Sequence, residues 1–259
     1  MRFTKWIDAL AARGRFVFTL ADAAQAAGSS PDAAKLSIQH AAKAGVLYSP
    51  ARGLWVIVPA EDRAEGIASW RLYLDPMLRR EGRSYYLGLL SAAAQHGASA
   101  QAPQEVQVIV DRPRAAIQAG RQRIVFVTRR RAALAPTTPI VVPTGRIPVS
   151  TPEMTALDLV AYPAHAGGWG NVITVLRDLA PGMTATGMQA VAGVQPATTD
   201  IQRLGWLLED LDAGDAAAPL RVLLADRATT FVPLDPRARR DGPRDSRWRI
   251  IENVAVEPD

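Results

Sequence analysis

Over residues 3–13 (FTKWIDALAAR) apolar side chains recur at helical spacing, with Trp6, Ile7 and Leu10 on one face. A short helix, Leu20 to Ala27, is predicted next. Thr19 stands where its hydroxyl caps that helix, and Gly28 stands where a left-handed turn ends it. Ser30 then caps a second helix. This helix opens on Pro31, whose missing N–H costs nothing at the first position, and it runs to about Ala44 before Gly45. Within it Ala34, Ile38 and Ala41 share the apolar face, and Asp32, Lys35, Gln39 and Lys43 lie opposite. Val46 to Tyr48 and Leu54 to Val58 are apolar runs on either side of the turn SPARG. With Pro50 and Gly53 in that turn they predict a β-hairpin with Arg52 at its tip. Phe16 and Phe18 are expected in the core of this three-helix unit.

Residues 60–70 (AEDRAEGIASW) read as a polar connection to a second unit. Residues 71–81 are expected to carry a helix or turn that Pro76 interrupts. Residues 84–97 (SYYLGLLSAAAQHG) predict a buried helix of small side chains, with His96 at its C-terminal end bonding a terminal carbonyl. Residues 104–110 alternate polar and apolar, predicting a half-buried strand, and 122–128 predict another. Arg129, Arg130 and Arg131 follow as a solvated loop. Residues 139–142 and 146–149 predict a hairpin around Thr144-Gly145. Over 150–163 (STPEMTALDLVAYP), Ser150 or Thr151 caps a helix that Pro152 and Glu153 open, and Met154, Leu157 and Val160 or Ala161 line one face. Further helices are predicted at 168–180, 184–192, 199–212 and 217–225. Final strands are predicted at 229–234 and 248–251, flanking the Arg-rich stretch PRARRDGPRDSR. The fold class is α+β: an N-terminal winged helix-turn-helix over residues 1–60, then a larger mixed α+β domain over 61–259.

Charge sharpens this division. Residues 1–59 carry seven Lys/Arg against three Asp/Glu, and residues 60–150 carry thirteen against seven. Residues 151–259 reverse the balance, with ten against fifteen. Two helices joined by a Gly-containing turn and followed by a hairpin are a DNA-docking shape, and a basic balance suits phosphate contact. The candidate DNA-binding residues are Ser29, Ser30, Lys35, Gln39, His40, Lys43 and Arg52. Lys35, Lys43 and Arg52 suit phosphates, and the amide of Gln39 suits an adenine edge.

No run of about 18 apolar residues occurs, so no membrane span is expected. The first residues lack the apolar stretch of a secretory signal, and there are no cysteines. A cytoplasmic protein without disulfides is expected. The three histidines, His40, His96 and His165, lie far apart, and no HExxH, GxSxG, Walker or GxGxxG motif occurs. GGWGN at 167–171 follows no predicted strand and does not read as a phosphate loop. Asp158, Glu209, Asp210 and Asp212 are expected on solvated helix surfaces rather than at a metal. No catalytic residue, metal or cofactor is predicted.

Four stretches carry a resemblance: YYLGLLSAAAQHGASAQAPQEVQVIV (85–110), VSTPEMTALDLVAYP (149–163), RLGWLLE (203–209) and WRIIENV (248–254). In that order, behind the helix-turn-helix, they resemble the AbiEi family of antitoxins from type IV toxin–antitoxin (abortive infection) systems. The resemblance implies a winged helix that binds inverted repeats in its own promoter, in double-stranded DNA, and represses it. It also implies a C-terminal domain that counteracts a nucleotidyltransferase-like toxin, directly or functionally. It supplies no catalytic motif. Two other readings stand beside it: a winged-helix regulator whose C-terminal domain senses a small molecule, and a nuclease-like enzyme, which the lack of a clustered Asp/Glu/Lys motif disfavours.

Overall fold

Three helices and a three-stranded sheet build the N-terminal part of a computed structural model that describes residues 3–98 and 104–254. The elements are α1 (Phe3–Ala11), β1 (Val17–Phe18), α2 (Leu20–Ala27), α3 (Pro31–Lys43), β2 (Leu47–Ala51) and β3 (Leu54–Ile57). The sheet order is β1-β3-β2, antiparallel throughout. Its register pairs Phe18 with Trp55 and Tyr48 with Val56, and it breaks between Tyr48 and Ala51. Pro50 lies in that break on an edge strand, where its lack of an N–H removes no ladder bond. Ile7, Leu10, Phe18, Ala23, Ala34, Ile38, Leu47 and Ile57 form the core, with Trp6 and Phe16 packed against it. The caps fall where the sequence puts them. Thr19 and Asp22 exchange hydrogen bonds as a capping box, and Gly28 ends α2 with φ of 58°.

The second stretch of elements begins with α4 (Leu74–Arg80) and β4 (Tyr85–Leu87), followed by α5 (Leu89–Gln95) and β5 (Val106–Val110). Two expectations change here. Pro76 interrupts nothing, because the helix starts only at Leu74 and Pro76 sits in its first turn, where no N–H is required. Residues 84–97 are not one helix. Tyr85–Leu87 form a strand paired with β5 on one side and β9 on the other, and the helix begins at Leu89. A Cβ on Gly88, between them, would lie 2.6 Å from the Ile109 side chain, so only glycine fits the junction. Residues 99–103 of the 85–110 stretch lie outside the described residues.

There follow β6 (Ile117–Ala119), β7 (Gln122–Thr128), β8 (Thr137–Val142) and β9 (Gly145–Ser150). The six-stranded sheet has the order β6-β7-β5-β4-β9-β8. β5 is buried on both faces rather than half-buried. Its Gln107 is 2% exposed and spends its polar groups on the backbone of Leu90 and His165. Helices α6 (Pro152–Ala161), α7 (Trp169–Leu179), α8 (Ala185–Ala190), α9 (Thr198–Asp210) and α10 (Gly214–Ala225) come next. Strands β10 (Val232–Pro233), β11 (Arg244–Asp245) and β12 (Ile250–Ile251) close the chain, and β11 arises inside the Arg-rich stretch where no strand was expected.

By its internal contacts the chain divides into two units. One comprises residues 1–84, 115–124 and 139–147, the other 85–114, 125–138 and 148–259. In the second, α6 is the central helix, buried from Glu153 to Val160 rather than along one face. Around it pack Trp169 and Leu176 of α7, Met188 of α8, and Leu204 and Leu207 of α9. Gln202 of α9, fully buried, donates to the carbonyls of Thr230 and Trp248 and so ties the last strands to the helices.

Candidate nucleic-acid interface

Helix α3 turns Ala34 and Ile38 inward and leaves Asp32, Lys35, Gln39, His40 and Lys43 exposed. Its first turn is fixed by Ser30, whose Oγ accepts from the Ala33 N–H at 3.3 Å, while Ser29 is half-buried just before it. Ser30 therefore serves the helix as well as standing at its exposed end. Lys43 is in the last turn and Lys35 lies to one side of Gln39, so the two cations flank the amide along the helix.

Arg52 is exposed at the turn between β2 and β3, beside Gly53 with φ of 73°. That turn is held from both sides. The Ser49 hydroxyl donates to the carbonyls of Ala51 and Leu54, at 3.1 and 3.0 Å. Arg80 of α4 donates to the Gly53 carbonyl at 2.6 Å, and the rings of Tyr48 and Tyr73 lie 5.7 Å apart. Arg80 is a residue that sequence reasoning misses. It stands 27 positions from the turn, and no local pattern links them.

The Asp22 carboxyl accepts from the Thr19 N–H and hydroxyl and pairs with Arg15 at 3.3 Å. Burial raises its pKa, but the bonds from Thr19 and the Arg15 charge outweigh that and hold it below the usual value. The N-terminal end of α2, where the chain enters the helix-turn-helix, is therefore braced.

Several of the other charged groups form ion pairs within the fold. Arg129 is not solvated: its guanidinium meets the fully buried Asp158 at 2.8 Å, and Tyr86 donates to the same carboxylate at 3.0 Å. The reason is position, since Arg129 leaves β7 directly opposite α6, whereas Arg130 and Arg131 stay exposed. Burial pushes Asp158 up to about 6, against the pull of Arg129 and Tyr86. Glu209 is engaged by Arg247 at 2.9 Å and Arg221 at 3.5 Å, and Asp210 and Asp212 are exposed. Among the described residues no three metal-ligating side chains converge. His96 caps α5 and its Nε2 lies 2.7 Å from the Ser150 carbonyl, a structural contact reaching another element rather than its own helix.

A capped helix-turn-helix backed by a third helix and closed by a hairpin is a winged helix-turn-helix protein. The chain belongs to the AbiEi antitoxin family. Residues 7–58 match the model described as a transcriptional regulator, AbiEi antitoxin, and residues 86–210 match that of the AbiEi antitoxin C-terminal domain. No curated protein matches. Among solved structures the fold is similar to that of the RV2827C protein from Mycobacterium tuberculosis, at a TM-score of 0.66 and 22% identity over 98% of this chain and 92% of that one. A nucleotidyltransferase-like protein from Paracoccidioides brasiliensis overlaps 56% of this chain and 89% of its own at a TM-score of 0.37 and 12% identity, too weak a likeness to imply a shared fold. No helix among the described residues is long and apolar enough to cross a membrane.

Proposed function

We propose that this protein is the antitoxin of a type IV toxin–antitoxin system, acting in the cytoplasm without enzymatic activity of its own. It binds inverted repeats in its own promoter, represses transcription there, and counteracts a nucleotidyltransferase-like toxin. The observation that carries the reading is the match of the chain's two segments to regulator and antitoxin family models, with α3 and the β2–β3 turn presenting an exposed polar face in the first. DNA binding is assigned to residues 1–60 and toxin antagonism to residues 61–259. In the docked arrangement α3 lies in the major groove, with Gln39 facing base edges and Lys35 and Lys43 facing phosphates. Arg52 meets the neighbouring backbone.

Two assays test the two halves. A reporter driven by the protein's own promoter should be repressed when the protein is supplied. Co-expression with the nucleotidyltransferase-like gene of the same operon should restore growth that the toxin alone arrests. A repressed reporter with no rescue of growth leaves a regulator that is not an antitoxin, and rescue without repression leaves the reverse.

A further inference from the structure

Helix α3 exposes one apolar side chain on its otherwise polar outer face. Leu36 is 58% exposed, while Ala34 and Ile38 on either side are 1% exposed. Helical spacing puts Leu36 between Asp32, four residues before it, and Gln39 and His40, three and four after it. It is therefore central to the outer face rather than at its edge. Among the described residues of 3–59 it is the one large exposed hydrophobic. An exposed leucine in the middle of a polar face gains nothing from water.

We propose that Leu36 is a specificity residue that reads the C5-methyl group of a thymine in the major groove. The proposal rests on the DNA-binding reading above and names one of its base contacts. The thymine methyl is the apolar feature that base edges present in that groove, and it is met by apolar side chains. Leu36 is the sixth residue of α3, in the half of a recognition helix that contacts base edges. Gln39, three residues on, places an adenine-reading amide next to it, so the pair matches adjacent A·T pairs. Leu36 also borders a groove of about 470 Å³ between α1 and α3, lined by Ile7, Ala41 and Val46 among others. A protein segment seated in that groove is the competing occupant of the same side chain.

The test removes the methyl from the DNA and the leucine from the protein in one cycle. Wild-type protein first selects a duplex from a random pool. Each thymine of that duplex is then replaced singly by deoxyuridine, which lacks only the methyl. One replacement should weaken wild-type binding by about fourfold, the worth of one buried methyl-sized group. Leu36→Ala should bind the parent duplex more weakly by a similar or larger factor and lose its sensitivity at that one position. Leu36→Met should keep part of it. If wild type and Leu36→Ala show the same deoxyuridine profile, or if no replacement affects wild type, the assignment is overturned and Leu36 belongs to the α1–α3 groove. If the pool yields no enriched duplex, the DNA-binding reading itself fails, which is a separate result.

Discussion

Arg129 and Asp158 form a buried ion pair, and such a pair costs most when one partner is removed. Asp158 has its pKa raised from 3.8 to about 6. In the pH window between those values the folded chain holds a proton that the unfolded chain has released. This group's contribution to stability therefore falls as pH rises through the window and levels off above it. Arg129→Met strips the carboxylate of its counter-charge. Stability at pH 7.5 should drop by about 3–5 kcal/mol, and the deficit should shrink at pH 5.5, where the carboxyl takes up a proton. Denaturant unfolding at both pH values reads this, and an equal deficit at both would show that Asp158 is not the group responsible. A second residue-scale expectation concerns Gly205 of α9, where an added Cβ would fall on the Trp248 ring. Gly205→Ala should cost about 1–3 kcal/mol, as overpacking does, and a thermal melt unchanged from wild type would mean the ring moves aside freely.

At the scale of elements, the wing turn depends on a helix outside the helix-turn-helix, through the bond from Arg80 to the Gly53 carbonyl. Arg80→Ala should leave the chain folded but loosen the β2–β3 turn, weakening DNA binding several-fold with little change in which sequence is preferred. A binding-site selection that shifts its consensus in this variant would contradict a purely positioning role. Helices α2 and α3 were legible in the sequence because Thr19, Gly28, Ser30 and Pro31 are local signals, each acting within one turn. The strand at Tyr85–Leu87 was not, because Leu89, Ala92 and Ala93 extend a helical pattern backward and only the partners β5 and β9 make the first three residues extended. Arg129 hid in a run of like residues whose fates are decided by Asp158, 29 positions away.

Over the whole molecule, basic residues concentrate before position 150 and acidic ones after it. This favours DNA contact through the first segment and leaves the last third to other partners. The two proposed activities should then separate in the intact chain. The triple variant Lys35→Ala, Lys43→Ala, Arg52→Ala alters only exposed side chains, so its melting temperature should match wild type. It should fail to repress its promoter yet still restore growth against the toxin. Loss of both activities in a folded triple variant would tie neutralisation to the DNA-binding face. The central claim, that α3 and the wing bind the protein's own promoter specifically, is tested most directly by titrating labelled promoter DNA and a scrambled duplex of equal length across a series of salt concentrations. The account predicts tighter binding to the promoter, with log K falling against log salt, and a slope shallower in the triple variant by roughly 0.9 for each phosphate it no longer neutralises. Equal affinity of the wild-type protein for both duplexes would contradict it.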